Sequence, residues 1–472
     1  MDSYRRIAAL KIQSAQDGAS AIVEEICRVE NRVYASPGSK HLLGFVKDVA
    51  IKLQGLLEAE KDIANTEPLN ASELETRLHR TTKLIPYLHM LLGFVEGSDV
   101  NRTPGQLIQP LRRYVRSIIP ESEIFVSSKA ELNYRIQDIA EPLRKLFSEA
   151  LSDTPLHSSC ELLPQLLFVV NIPAVEASEI LIHGLLAHEL GHPLYKKHAL
   201  AGKLLPNIKV KDELIKSLVK TLSETRQGQQ TSEPELRSRE RVTEQVTSRT
   251  TGWVVELCCD AIGIRLFGPA MFFAAVHLMI AFKHLDEGSK THPPSRLRIK
   301  LMIRMLKQLY PVDKWHDKLQ AFMRDWDEIS ADAVTPRSMF DHVAIESIDD
   351  KALDLIAETS SLAVPELRSY TAKQFEDDSA ELTRLLINYI PPGERGPYGR
   401  AVSVELVSII NAGWLVFLCD FERFRKKLPA GDGEARSAAK TKLHELILKA
   451  LEISEMKTAW EEARLDSQRG KN

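Results

Sequence analysis

One five-residue window constrains this chain more than any other: His188-Glu189-Leu190-Gly191-His192. On a helix, positions i and i+4 lie one turn apart on the same face, so two imidazoles at that spacing reach a common point. A Zn²⁺ held there would have Glu189 beside it, able to take a proton from a metal-bound water whose pKa the metal lowers toward neutrality. Any fold for this chain must therefore supply a helix with a metal-competent face, a third protein ligand from elsewhere, and an open position for water.

The surroundings suit that demand. Leu163 to Pro173 is a β-rich apolar run ended by proline, which predicts a strand. Ala174 to Lys197 then reads as a helix whose apolar body includes Ile180, Leu181, Leu185 and Leu186, with Glu176 and Glu179 in its first turns where the helix dipole favours negative charge. Pro193, directly after the second histidine, is expected to kink or end that helix.

The third ligand is sought in Gly252-Trp253-Val254-Val255-Glu256-Leu257-Cys258-Cys259-Asp260. Glu256 and Asp260 again stand at i and i+4 within an apolar segment, where two buried carboxylates require a counterpart. Glu256 on the metal, with Asp260 holding a ligand imidazole through its second nitrogen, satisfies both. The alternative is a salt bridge to Arg249 or Arg265. His183 and His198 lie near the motif but at no helical spacing from the pair, and read as ordinary polar residues.

Taken together, His188-Glu189-x-x-His192 and Glu256-x-x-x-Asp260 resemble the gluzincin metallopeptidases, and Thr291-His292-Pro293-Pro294-Ser295-Arg296-Leu297-Arg298-Ile299 resembles the His-Pro-Pro…Arg-Ile segment of the HtpX and CAAX-prenyl-protease branch. The resemblance spans about residues 160 to 305. It implies one zinc per chain on His188, His192 and Glu256, Glu189 as general base, and His292 or Arg298 steadying the oxyanion. A plain alternative for the last segment is a Pro-Pro turn opening a basic helix. Two departures stand out: no long apolar spans, and a long polar insertion between His192 and Glu256.

The 472 residues suffice for two or three domains, and the formal charge of −3 offers no basic excess for nucleic acid. The first residues lack the pattern of a secretory signal, and Phe267 to Phe282 is short for a membrane span and suits a buried helix. Val402 to Phe421 is interrupted by Glu405, Asn411 and Asp420. Five scattered cysteines form no C-x-x-C pair, and Cys258 and Cys259 read as small buried hydrophobes behind Glu256. A cytoplasmic chain without a membrane span is expected.

The fold class expected is mainly α with a small β-sheet: a zincin-like catalytic core at 111–310, with a polar insertion at 203–250, flanked by helical domains at 1–110 and 311–472. Glu123 to Val126 and Leu132 to Ile136 read as two short strands joined by a turn. The insertion reads as a mobile loop or as the hinge between two exposed helices, with a covering role over the site as one possibility. Pro391 to Arg400 reads as a surface connection or a substrate-facing loop, and the tail from Asp466 as disordered. The leading functional expectation is a zinc-dependent endopeptidase acting on a protein or peptide, with helical arms that recruit a protein partner. The alternatives are a regulatory protease dedicated to one partner, and a helical interaction protein with an inert metal site.

Overall fold

The computed structural model describes residues 2–66, 79, 82–130, 134–150, 155–174, 179–226, 235–281, 285–332, 334, 336, 338–365, 368–396, 401–428 and 435–469. Of these described residues 75% are helical, beside a small mixed three-stranded sheet, so the mainly-α expectation holds. Its contacts group the chain into two units, Met1–Ser178 and Glu179–Asn472.

In the first unit, helices α1 (Asp2–Glu30), α2 (Pro37–Thr66), α3 (Leu84–Gly97) and α4 (Gly105–Ile118) precede strand β1 (Ser122–Lys129), strand β2 (Arg135–Asp138), helix α5 (Ala140–Ala150) and strand β3 (Leu166–Pro173). One core joins helices and sheet: Ile22, Phe45, Leu53, Leu88, Phe125, Phe147 and Val169 are all buried in it. The turn-joined pair expected around residues 123–136 is not formed. β1 and β2 each pair with β3, β1 in parallel with Ile124 opposite Phe168, and β2 antiparallel with Ile136 opposite Val170. β3 takes the centre, with its run Leu167-Phe168-Val169-Val170 buried and hydrogen-bonded to a neighbour on each edge.

The second unit carries the histidine motif. The helix is shorter than the apolar pattern suggests: a 3₁₀ turn, Ile182–Leu185, leads into α6, Leu186–Lys197. Glu179 thus lies ahead of the helix, where it pairs with Lys440 at 2.6 Å. Glu176 lies outside the described residues. Pro193 does not end α6, because proline's fixed φ is itself helical and only the bond to the carbonyl four residues back is lost. Packing of the buried Leu194 and Tyr195 holds the following turn.

After the short α7 (Ala201–Leu204) come α8 (Asp212–Arg226) and the 33-residue α9 (Glu235–Phe267). The polar insertion is therefore helical at both ends, with residues 227–234 outside the described set. Ile215, Leu218 and Val219 of α8 pack on Val242 and Val246 of α9, and Arg239 holds Asp212 at 2.7 Å. The second half of α9 carries Glu256 and Asp260.

Gly268, at φ +60°, breaks α9 from α10 (Pro269–Ala281). A Cβ there would lie 2.5 Å from the Tyr370 ring and 2.6 Å from the Tyr310 hydroxyl, so glycine is required by space as well as by backbone. α10 is a core helix, buried from Ala270 to Val276. Among the described residues no helix is long and apolar enough to cross a membrane. The rest is helical: α11 (Ser295–Leu309), α12 (Asp317–Ala331), α13 (Met339–Ser347), α14 (Asp350–Ser360), α15 (Ala372–Ile387), α16 (Leu406–Leu415), α17 (Phe421–Arg425) and α18 (Ala435–Arg469). Between α15 and α16 a two-stranded ladder pairs Glu394 with Ser403 and Arg395 with Val402, its first strand within Pro391 to Arg400 and its second just beyond it. Residues 397–400 and 429–434 lie outside the described set.

The tail expected to be disordered from Asp466 is instead helical to Arg469. Strong helix formers run through Glu461-Glu462-Ala463-Arg464-Leu465, and the Lys457 and Arg464 cations both sit over the Trp460 ring.

Candidate metal centre

Two close helix crossings assemble the centre. Gly191, inside the histidine motif, sits against α9 so tightly that a Cβ would lie 2.6 Å from the Cα of Cys259. Reciprocally, a Cβ at Gly263 of α9 would lie 3.1 Å from the His188 backbone nitrogen. Two glycines on facing helices let the backbones approach, and this brings the Glu256 carboxylate within reach of both imidazoles.

His188, Glu189 and His192 form a group able to hold a metal ion, with ligand atoms all within 4.8 Å of one another. The two imidazoles stand edge to face, 5.2 Å between centroids. Glu256 reaches both rings: Oε2 is 3.2 Å from His188 Nε2, and Oε1 is 3.7 Å from His192 Nε2. Glu256 Oε2 is buried yet accepts no hydrogen bond, so the 3.2 Å approach lacks hydrogen-bond alignment. A buried carboxylate with one oxygen facing each of two imidazole nitrogens is a donor set that a cation can complete. The residues present fit a metal ion.

Behind His188, Asp260 is fully buried and its Oδ1 lies 2.8 Å from Nδ1. Arg298 grips the same carboxylate with two hydrogen bonds, Nε to Oδ2 and Nη2 to Oδ1, both at 2.7 Å. The counterpart of Asp260 is thus Arg298 on α11, while Glu256 faces the histidines. Arg249 and Arg265 are engaged elsewhere, with Asp341 at 2.8 Å and with Ser360 Oγ at 2.8 Å. Burial pushes the Asp260 pKa up, but Arg298 and His188 outweigh it and hold the carboxyl well below its usual range. For His188, burial acts to lower the pKa, and Asp260 and Glu256 overcome it, lifting the imidazolium to about 10. In His192, burial and the charge on His188 bring it down to about 4. Burial acts to raise the Glu256 pKa, and the hydrogen-bonding reach and charge of His188, with Arg298 and His292, bring the net shift down.

Whereas Asp260 is fully buried, His292 approaches Glu256 from an exposed position. Its Nε2 lies 3.5 Å from Glu256 Oε2, and its Nδ1 is 2.9 Å from Thr291 Oγ1. The loop that carries it is clamped. Trp253 Nε1 donates to Ser289 O at 2.9 Å, Ser289 N to His292 O at 2.8 Å, and Arg296 holds Asp286 at 2.6 Å. Pro294 then caps the start of α11, so the segment is both a Pro-Pro turn opening a basic helix and the carrier of a histidine turned to the centre.

The structure therefore brings together His188, Glu189, His192, Glu256, Asp260, His292 and Arg298, but in different places: His292 on the exposed side, Arg298 buried behind Asp260. His183 is buried in the 3₁₀ turn and His198 caps the end of α6; among the described residues the metal-capable group holds neither of them, and Glu256 stands beside that group rather than in it. Sequence reasoning missed Cys259, whose Sγ lies 3.5 Å from His192 Nδ1, and missed Gly191 and Gly263. The available signal was position: Cys259 immediately precedes Asp260, and Gly191 is one of the two free positions of the motif. Compared with protein-family models, with curated proteins and with solved structures, this chain matches none.

Proposed function

We propose that this protein is a zinc-dependent metallopeptidase that hydrolyses peptide bonds, with His188, His192 and Glu256 as ligands and Glu189 as general base. The observation that carries the reading is the convergence of both Nε2 atoms on the buried Glu256 carboxylate, with Glu189 alongside. Donors about 2.0–2.1 Å from a tetrahedral zinc stand about 3.4 Å from one another. The separations of 3.2 and 3.7 Å bracket that value. A two-histidine, one-carboxylate set with an open side is a catalytic zinc arrangement, and a purely structural site has no use for Glu189. The resemblance to gluzincins rests on these motifs and this geometry.

Zinc bound here would supply Lewis acidity, lowering the pKa of a water and polarising the scissile carbonyl. The chain's own residues do the rest. The Glu189 carboxylate takes a proton from the attacking water as its oxygen bonds to the carbonyl carbon, and delivers it to the amine nitrogen as the C–N bond breaks. His292, held by its clamped loop, offers Nε2–H to the oxygen that gains negative charge. Asp260 accepts Nδ1–H of His188 and holds that proton in place, so that Nε2 is the nitrogen that gives up its proton and turns its lone pair to a metal. Arg298 acts as a positioning residue, because its guanidinium is committed to Asp260 and its Nη2 also lies 3.3 Å from His188 Nδ1.

The test is metal content and peptide cleavage in single variants. Wild-type protein should carry about one zinc per chain and cleave an unfolded protein substrate in a chelator-sensitive way. His188→Ala and His192→Ala should lose the metal; Glu189→Gln should keep it and lose cleavage. Full zinc occupancy without both histidines sinks the proposal, as does a Glu189→Gln variant that cleaves at the wild-type rate.

A further inference from the structure

The two ligand imidazoles are held from behind by different chemistry. His188 Nδ1 meets the Asp260 carboxylate, itself gripped by Arg298. His192 Nδ1 meets a thiol: Cys259 Sγ at 3.5 Å, within hydrogen-bonding reach for sulfur. We propose that Cys259 is the positioning residue for His192, accepting its Nδ1–H and thereby directing Nε2 toward Glu256. The inference rests on the zinc-site reading above and adds to it a residue which that reading does not need.

Three observations carry it. First, a single stretch of α9 reaches both sides of both rings. Glu256 lies on the Nε2 side of each, while Asp260 and Cys259, four and three residues later, stand behind His188 and His192. Second, the thiol has little freedom. The Cys259 backbone is pressed on Gly191, one residue before His192, so the crossing that brings the helices together also fixes where the sulfur sits. Third, Cys259 has no exposed surface, so although His192 keeps part of its ring in contact with solvent, the thiol itself meets the ring from inside the helix crossing. An Nδ1–H left there without an acceptor would favour the other tautomer, whose proton sits on Nε2 and blocks the metal.

The consequence is an asymmetric centre, one histidine anchored by a charged carboxylate and the other by a neutral, weaker acceptor. Cys259→Ala should lower zinc affinity by about tenfold or more, the range for loss of a ligand's hydrogen-bond partner. Cys259→Ser, which keeps an acceptor at the same position, should recover most of it. Zinc affinity is read by competition with a chelating dye, and thermal midpoints are recorded in parallel. Long-range ¹H–¹⁵N spectra of the zinc-loaded protein read the tautomer. The His192 Nδ1 resonance should move in Cys259→Ala while that of His188 stays, and in the wild type its proton should exchange slowly.

A Cys259→Ala variant with wild-type affinity and an unmoved His192 resonance overturns the inference. So does a serine variant as weak as alanine, which would mean the sulfur only fills space. If the alanine variant does not fold, the wild-type spectrum decides, since a His192 ring protonated on Nε2 rather than Nδ1 is incompatible with the proposal. Failure of the underlying reading is seen separately, as wild-type protein that takes up no zinc.

Discussion

At the scale of single residues, the centre separates groups that sequence alone placed in one role. His292 and Arg298 are six positions apart and were both candidates to steady an oxyanion, yet one is half-exposed beside Glu256 and the other is buried on Asp260. Their variants should diverge. His292→Ala should keep its zinc and its thermal midpoint and lose about two to three powers of ten in kcat. Arg298→Ala leaves Asp260 buried without its cation, and breaking a buried pair from one side costs about 3–5 kcal/mol. That variant should therefore unfold at lower temperature and lose zinc as well. Metal analysis and calorimetry on the two proteins check this, and identical profiles would refute the division of roles. The sequence signalled both residues through one motif; it did not signal which side of the metal each would occupy, because that depends on where α11 leaves the Pro293-Pro294 turn.

At the scale of elements, the site is a crossing of two helices that are distant in sequence. α6 supplies the histidines and α9 the carboxylates, and their contact depends on Gly191 and Gly263. Gly191→Ala would place a Cβ 2.6 Å from backbone and 2.8 Å from the Cys259 Cβ, atoms that cannot swing aside. Overpacking of this kind typically costs about 1–3 kcal/mol. The separation of the helices should also carry Glu256 away from the imidazoles. The expected result is a lower thermal midpoint together with weakened zinc binding, whereas Gly202→Ala, in the short α7 where a Cβ meets nothing within 4 Å, should change neither. A Gly191→Ala variant with wild-type zinc affinity would show that the close crossing does not tune the site. The polar insertion belongs to the same scale. Its pattern left open a loop or two helices; packing of Leu218 and Val219 on Val242 and Val246 pairs two helices, Asp212–Arg226 and the start of α9, so that α9 runs unbroken from that seam to Glu256.

At the scale of the whole molecule, the second unit depends on residues far from the motif. Trp414 Nε1 donates to Leu181 O at 3.0 Å, and His444 Nδ1 accepts from Ile180 N at 2.9 Å, so α16 and α18 hold the segment that leads into the histidine helix. Asn411 receives Ala270 N–H and donates to Phe267 O, satisfying the backbone at the α9–α10 break. All ten residues of α16 are buried. A chain ending at residue 400 should accordingly lose cooperative unfolding of this unit and lose zinc, measurable by thermal circular dichroism and metal analysis. Retention of a wild-type midpoint and stoichiometry would refute this dependence.

Spacing alone made part of this legible. Two histidines four apart with a glutamate between them, and two carboxylates four apart in an apolar segment, are local relations, and helical geometry converts them directly into shared faces. The mainly helical class and the burial of the 269–281 helix followed for the same reason, since periodicity is written in neighbouring residues. Tertiary structure decided the rest. Whether β1 pairs with β2 or with β3, whether Asp260 meets Arg249, Arg265 or Arg298, and which group stands behind His192 are contacts between residues tens of positions apart. No local pattern ranks such partners; close packing selects among them, here by letting two glycines bring two helices together and carry a thiol and a carboxylate to the backs of two imidazoles.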